Sequence, residues 1–247
     1  EDIDIEDLIA EEDMVITLSH AGYIKRFPVS AYKKQRRGGK GITGAETREE
    51  DFIEHLFVAS THDYMLIFTS EGRLHWLKVH EIPQAGRRTK GRPIVNMLGV
   101  SSGEKITSVV PVREFKEGVY VVMATQQGKI KKSSLQLFSN PRKGGIIAIT
   151  LGKGDKLVGS VLSEGTDEVC LATREGKAIR FREKDIRPMG RSAQGVKGIN
   201  LRKKDMVVGM IKVDPHGAFL TVTEKGYGKR TDFEEYRLQS RGGSGII

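Results

Sequence analysis

A repeat of about fifty residues runs along the whole chain and constrains its fold more than any other feature. Each copy is centred on one glycine, at successive intervals of 50, 56, 48 and 50 residues: Gly22, Gly72, Gly128, Gly176 and Gly226. A hydroxyl residue stands three positions before each of these glycines: Ser19, Thr69, Thr125, Thr173 and Thr223. A two-residue turn with glycine at positive φ, between β-rich segments, predicts a β-hairpin in every copy.

The segments before the turns are apolar, and their residues favour strands. They cover 14–18, 64–68, 119–123, 168–172 and 218–222. Such nearly continuous apolar runs are typical of strands that are buried on both faces, and Cys170 within one of them is predicted to be a core residue. A fixed period filled with short strands is typical of propeller-like folds. We therefore predict an all-β fold of four-stranded blades, with one blade per repeat.

The charge of the chain is distributed unevenly. The net charge of the 247 residues is +9, but the first 13 residues hold eight acids and no lysine or arginine. The remainder carries 41 basic and 24 acidic side chains, a net charge of +17. This pattern predicts an acidic lead-in over residues 1–12 and a single folded domain over 13–247 that binds a polyanion. The alternative is a basic surface that is merely solvated.

Basic residues recur at two fixed positions of the repeat. The position fifteen residues after the turn glycine is always basic: Arg37, Arg87, Lys143, Arg191 and Arg241. In four copies a glycine follows four residues later: Gly41, Gly91, Gly195 and Gly245. In the third copy Gly144 and Gly145 come early, as if two residues were deleted. The position four residues after the turn glycine is basic in all copies but one: Arg26, Trp76, Lys132, Arg180 and Arg230. Equivalent positions in successive blades predict two basic rings on one rim.

The strongest motif lies in the first repeat, directly after Lys33 and Lys34. It consists of Gln35, Arg36, Arg37, Gly38, Gly39, Lys40 and Gly41. Glycines let backbone N–H groups approach an anion, while arginine can contact phosphate oxygens with two donors and lysine acts as a point charge. Later repeats hold weaker versions, with Arg87, Arg88 and Lys90 in the second, Arg142 and Lys143 in the third, Arg191 in the fourth and Arg241 in the fifth.

Through these residues the chain resembles a known family, the C-terminal DNA-wrapping domain of the A polypeptide of bacterial DNA gyrase. Residues 35–41 match the seven-residue box of that family letter for letter, and the resemblance runs from end to end, including 6–10 and 91–96. It implies a β-pinwheel, a propeller-like disc whose basic rim wraps duplex DNA. Family members usually have six blades, whereas this chain has five turn motifs and stops within the fifth repeat, so we expect a truncated chain or a missing sixth blade. Related topoisomerase IV proteins lack an intact box, which favours gyrase.

The resemblance also implies what the rest of the enzyme supplies. The wrap would fix the handedness of a DNA crossing, which ATP-driven strand passage converts into negative supercoils. The DNA-cleaving tyrosine would lie in the gyrase A breakage-reunion domain and the ATP site in the gyrase B subunit of an A2B2 enzyme. We therefore expect no catalytic residue and no cofactor in this chain, which would act in the bacterial cytoplasm.

Other chemistry has little support in the sequence. The motif over 39–44 spells GxGxxG but opens no predicted helix, and the six histidines show no metal-ligand spacing. No apolar run is long enough for a membrane span, and one cysteine gives no internal disulfide. Aromatic residues make up 6% of the chain, which favours duplex over single-stranded DNA because single-strand binders need stacking platforms. The remaining alternative is a basic propeller that docks an acidic protein, which would concentrate charge on one face.

Overall fold

Short strands make up most of the structure, a computed structural model that describes residues 5–31, 51–86, 89–101 and 103–247. The strands β1–β17 run over Asp13–Ser19, Tyr23–Pro28, Ile53–Ser60, Tyr64–Thr69, Arg73–Lys78, Arg92–Pro93, Ile106–Val112, Tyr120–Thr125, Lys129–Ser134, Ile146–Ile147, Leu157–Ser163, Glu168–Thr173, Ala178–Arg182, Val196–Lys197, Val207–Lys212, Ala218–Val222 and Gly228–Asp232.

Helix occurs in the described residues only as single 3-10 turns. These cover Ile5–Leu8, Val29–Ala31, Val79–Glu81, Ile94–Asn96, Leu135–Phe138, Glu183–Asp185 and Phe233–Glu235. Most of them directly follow the second strand of a hairpin or a two-residue strand. None of the described helices is long and apolar enough to cross a membrane.

Each predicted hairpin turn is present, and the structure explains the recurring hydroxyl residue. The five turn glycines have φ between 75° and 83°, as the sequence predicts. In every repeat the serine or threonine oxygen accepts a hydrogen bond from the N–H of the residue after the turn glycine, as Ser19 does from Tyr23 and Thr173 from Lys177. The hydroxyl thus fixes the turn from the end of the preceding strand.

A carboxylate holds the same turn from the other side in three repeats. Asp51 accepts N–H bonds from Ala21 and Phe52, and Asp155 and Asp205 do the same in the third and fourth repeats. Burial raises the pKa of Asp51 and Asp205, but hydroxyl and backbone N–H donors outweigh it and leave both values lowered. These carboxylates are therefore structural.

Each of the first three blades includes a strand from the next repeat, which the sequence did not predict. The first three sheets have the orders β3-β1-β2-β6, β10-β5-β4-β7 and β11-β8-β9-β14. In the first sheet β6 pairs Pro93 with Tyr23, and in the third β14 pairs Val196 with Ile130. The fourth sheet, β13-β12-β15, is extended by a bridge between Ala178 and Ile246 of the fifth repeat.

The chain divides into two compact units. One comprises 1–67, 74–114 and 141–146, and the other 68–73, 115–140 and 147–247. The core of the first unit is built around Ile16, Ile67 and Ile94, and that of the second around Leu171 and neighbouring side chains. Cys170 is 1% exposed, which confirms its predicted place in the core, and burial raises its thiol pKa to about 12.

The last hairpin differs from the prediction that all central strands are buried. Its sheet contains only β16 and β17 among the described residues, and Leu220 and Val222 on β16 are 62% and 64% exposed. The apolar pattern is the same as in the earlier repeats. The burial differs because neighbouring strands, rather than the segment itself, cover the faces of such a strand.

The acidic lead-in packs against the second hairpin of its own unit. The Lys78 ammonium lies 2.8 Å from a carboxylate oxygen of Glu6, and the hydroxyl of Thr61 donates to the Ala10 carbonyl. The His62 ring nitrogen Nε2 lies 2.7 Å from the carbonyl oxygen of Ile9. The boundary at residue 12 stays a prediction, although residues 6–10 contact the folded body.

Candidate nucleic-acid interface

Three of the four cations that stand four residues after the turn glycine contact backbone carbonyls of the following repeat; Arg230 does not. The Arg26 guanidinium donates to Ile82 at 2.6 Å and to His80 at 3.1 Å. The Lys132 ammonium donates to the carbonyl of Glu183 at 3.2 Å, and Arg180 donates to that of Phe233 at 2.6 Å. In each case the acceptors belong to the 3-10 turn after the next hairpin or border it. We call Arg26, Lys132 and Arg180 the clamp row.

Burial and ion pairs show that the clamp row is structural. Lys132 is 4% exposed, its ammonium lies 3.3 Å from the carboxylate of the fully buried Glu183, and it sits over the Tyr120 ring. Arg180 pairs with Glu168 at 2.6 Å. The prediction that Lys132 contacts DNA is therefore wrong, since phosphate cannot reach it. Arg26 and Arg180 are only partly buried, and their guanidinium groups already donate to the protein, so their predicted contacts with DNA stay predictions.

The cations fifteen residues after the turn glycine form a second set, the loop row. Of this row the structure describes Lys143, Arg191 and Arg241. The remaining predicted DNA contacts of the first two repeats lie outside the described residues: Lys33, Lys34, Gln35, Arg36, Arg37, Gly38, Gly39, Lys40, Gly41, Arg87 and Arg88. Their assignment stays a prediction.

The described cations of these loops and of the last hairpin are mostly free to meet a ligand. Lys90, Arg142, Lys143 and Arg230 are exposed, and Arg191 is half-buried. Within the described ranges no protein acceptor contacts the side chains of these five. Arg241 differs, because its guanidinium donates to the carbonyls of Asp185 at 2.9 Å and Lys197 at 3.2 Å. The loop row thus contains unpaired cations, which the described part of the clamp row does not.

A glycine seats each described loop on the hairpin of the preceding repeat. Gly91, Gly145, Gly195 and Gly245 all have positive φ. A Cβ atom at Gly91 would lie 2.2 Å from the Ile24 carbonyl oxygen, and one at Gly195 would lie 2.6 Å from that of Ile130. Gly145 approaches the Leu74 carbonyl in the same way, so it replaces the glycine that the shortened third repeat lacks. Only glycine fits this contact, which fixes where each loop begins and ends.

Two buried lysines, which the sequence did not predict, lie under these loops. Lys25 and Lys131, each three residues after a turn glycine, are 2% and 0% exposed. The Lys131 ammonium donates to the carbonyls of Ala148 at 2.6 Å and Arg191 at 2.5 Å. Burial, and secondarily the nearby Arg191, lowers the pKa of Lys131 to about 8. Another cation, Arg26 or Lys132, follows each of these lysines, so the sequence held no sign that they are buried.

The described residues offer no sign of a metal centre. No group of three or more His, Cys, Asp or Glu side chains among them could hold a metal ion.

Comparison with known protein sequences gives a consistent result. The family model described as "DNA gyrase C-terminal domain, beta-propeller" matches residues 13–60, 63–113, 120–162, 167–214 and 218–247. The DNA gyrase A protein of Salmonella typhimurium is 53% identical over 246 residues, which cover 100% of this chain and 28% of that protein. The Escherichia coli protein of the same name is 50% identical over the same shares. The chain therefore spans less than a third of the length of these relatives.

Solved structures agree with the sequence relatives. A DNA gyrase A C-terminal domain matches with a TM-score of 0.77 and 28% identity, over 95% of this chain and 76% of that one. The C-terminal domain of a DNA topoisomerase IV matches with a TM-score of 0.79 and 27% identity, over 97% of this chain and 73% of that one. These matches confirm the predicted all-β, pinwheel-type fold.

Proposed function

This chain belongs to the DNA gyrase C-terminal domain family, and from that membership we propose that it binds, bends and wraps duplex DNA without sequence specificity. The observation that carries the proposal is the loop row. Arg191 and Lys143 have no protein acceptor among the described residues, although both stand where every repeat has a cation. Unpaired cations on glycine-seated loops suit phosphate oxygens, which are identical for every base sequence.

The energy of bending favours a repeated arrangement of such cations. Bending a segment of 20–30 base pairs by 40–90° costs on the order of 1–6 kcal/mol. Contacts from several repeats can offset this cost only where cations follow the DNA. We propose that the contacts come from the first-repeat box Gln35, Arg36, Arg37, Gly38, Gly39, Lys40 and Gly41, with Lys33, Lys34, Arg87, Arg88, Lys90, Arg142, Lys143, Arg191, Arg230 and Arg241.

Within the whole enzyme the domain would serve as an accessory element. We propose that its wrap directs ATP-dependent negative supercoiling by DNA gyrase in the bacterial cytoplasm. Strand cleavage and ATP hydrolysis would belong to the breakage-reunion domain and the gyrase B protein, its proposed partners. A topoisomerase IV-type role is the second candidate, since that solved domain has a similar TM-score. Relatives at 50–53% identity that are gyrase proteins make gyrase the better assignment.

Duplex length and salt concentration test the proposal. The chain is mixed with duplexes from about 20 to about 150 base pairs, and affinity and bending are measured by electrophoresis and energy transfer between end labels. Longer duplexes are expected to bind more tightly and to bend. If about 6–10 phosphates are neutralised, affinity should fall about 10³–10⁵-fold between 50 and 200 mM salt.

A triple substitution assigns the effect to the box. Arg36→Ala, Arg37→Ala and Lys40→Ala together should reduce bending and leave the melting temperature nearly unchanged. Lys153→Ala, Lys184→Ala and Lys203→Ala together remove the same charge from exposed positions elsewhere and serve as the control. Equal loss in both triple variants, or a flat salt response, would contradict the proposed phosphate contacts. Binding of an acidic protein without any affinity for duplex DNA would favour the protein-docking alternative.

A further inference from the structure

The two buried lysines bind the backbone of the loops that carry the proposed DNA contacts. Lys131 of the third repeat donates to the Arg191 carbonyl in the loop of the fourth repeat. Lys25 of the first repeat donates to the carbonyls of Thr89 at 2.5 Å and Gly86 at 3.3 Å in the loop of the second. A buried lysine at the same position of the repeat thus binds the loop of the next repeat once in each compact unit. The accepting carbonyls differ in position: Arg191 lies 15 residues after its turn glycine, whereas Gly86 and Thr89 lie 14 and 17 residues after theirs.

Peptide geometry determines what these loops present to solvent. A trans peptide is planar, so its N–H group points opposite to its carbonyl, and no cis peptide occurs among the described residues. The Arg191 carbonyl faces a buried ammonium, so the N–H of Ser192 points outward, as does the N–H of Lys90 after Thr89. Both residues are exposed, and in the described part of the chain neither N–H meets an acceptor.

We propose that Lys25 and Lys131 are positioning residues that hold these two loops in an anion-binding form. In this form the N–H groups of Lys90 and Ser192 donate to phosphate oxygens of the bound duplex, beside the loop cations. Outward N–H groups on a curved loop are a common way to bind anions. The inference rests on the proposed DNA binding and adds backbone donors and two buried side chains to it.

The fourth repeat shows what happens without the ammonium. Ile179 occupies the same position as Lys131, is fully buried, and lies beneath the loop of the fifth repeat, where Gly245 contacts Ala178. An apolar side chain therefore suffices to seat a loop. In that loop Arg241 binds protein carbonyls, whereas Arg191 in the loop above Lys131 has no such partner among the described residues. Burying an ammonium is costly, and packing alone does not require one here.

Amide chemical shifts of the 247-residue chain test the proposal directly. The labelled protein is titrated with a duplex, and the Ser192 and Lys90 amides are followed by NMR. Both are expected to shift in the unmodified protein. Lys131→Met should abolish the shift of the Ser192 amide and keep that of the Lys90 amide. Lys25→Met should abolish the shift of the Lys90 amide and keep that of the Ser192 amide. Each substitution should also lower duplex affinity roughly fivefold, the net value of about one hydrogen bond.

Two matched variants distinguish the effect of the buried ammonium from a general loss of positive charge and from altered core packing. Lys153→Met removes an exposed charge, and Ile179→Met alters the equivalent buried position; both should keep the two amide responses. If Lys131→Met does not fold, the Lys25→Met variant and the amide shifts of the unmodified protein still test the proposal. DNA binding by the unmodified protein with both amides unchanged would overturn the inference alone. Absence of any DNA binding would overturn the proposed function.

Discussion

The clamp row and the loop row look alike in the sequence but differ in the structure. Both repeat a cation at a fixed distance from the turn glycine. In the clamp row Arg26, Lys132 and Arg180 bind backbone of the following repeat, whereas Arg191 and Lys143 of the loop row have no protein acceptor among the described residues. A recurring cation therefore shows that equivalent places need positive charge. It does not show whether the partner is the protein itself or a ligand.

The largest expected effect comes from breaking the clamp row at its buried ion pair. Lys132→Ala leaves the carboxylate of Glu183 without its partner, and removing one member of a buried pair costs about 3–5 kcal/mol of unfolding free energy. Urea denaturation measures this loss. The folded fraction should still bind duplex DNA normally. The double variant Lys132→Met with Glu183→Leu should recover much of the stability. If Lys132→Ala instead lowered DNA affinity and left stability unchanged, Lys132 would be a DNA contact after all.

Acid should weaken the structural contacts while leaving the charge of the loop row unchanged. The pKa values of Asp51 and Asp205 are lower in the folded than in the unfolded state. Their contribution to stability is therefore present above the unfolded value of about 3.9 and is lost as pH falls through the folded values. Urea midpoints at stepped pH should decrease from about pH 5 downward. Asp205→Asn should flatten this decrease, and an unchanged profile would contradict the assigned role.

Arg191→Ala should affect DNA binding and hardly affect folding. Each phosphate contact that is removed lowers the slope of log affinity against log salt by about 1. Arg191 is half-buried, but its side chain has no protein acceptor among the described residues, so the substitution should change the unfolding free energy by at most about 0.5 kcal/mol. Salt titrations of duplex binding and urea melts measure the two quantities. An unchanged salt slope together with lost stability would move Arg191 into the clamp row.

The smallest effect is expected at Arg241, which belongs to the loop row by position but contacts protein carbonyls. Arg241→Ala should lower the salt slope by less than Arg191→Ala does, because part of its donor capacity is already used. The two lost hydrogen bonds are exposed, so the loss of stability should not exceed about 1 kcal/mol. The same salt titration, run side by side with Arg191→Ala, provides the comparison. A larger loss of DNA affinity at Arg241 would reverse the order.

The hairpins could be predicted from the sequence because their determinants are local. The turn glycine, the hydroxyl residue before it and the apolar strand lie within a dozen residues, and the structure confirms the turns. The two-residue strands could not be predicted. Pairing of Pro93 with Tyr23 or of Val196 with Ile130 joins distant parts of the chain, and two residues carry no periodicity. Burial of the last hairpin was also mispredicted, because burial depends on neighbouring strands.

The candidate site was predictable in composition and only partly in detail. The loop row was found because its cations recur, and among the described residues the side chain of Arg191 has no protein acceptor; its contact with DNA stays a prediction. The same argument failed for Lys132 of the clamp row, whose ammonium is buried beside the carboxylate of Glu183. Lys25 and Lys131 were missed because a lysine within a strand usually faces solvent. Only the loop of the next repeat, folded over them, buries these ammonium groups.

Because a blade includes a strand from the next repeat, it is completed only after that repeat has been synthesised on the ribosome. The hairpin β8–β9 is complete at Ser134, but its last partner, Val196–Lys197, is synthesised more than sixty residues later. A growing chain therefore always carries one blade with an open edge, and that edge advances toward the C-terminus as translation proceeds. Unpaired strand edges are the surfaces through which nascent chains aggregate. Slow codons would be best tolerated just after a two-residue strand, when the previous blade has closed.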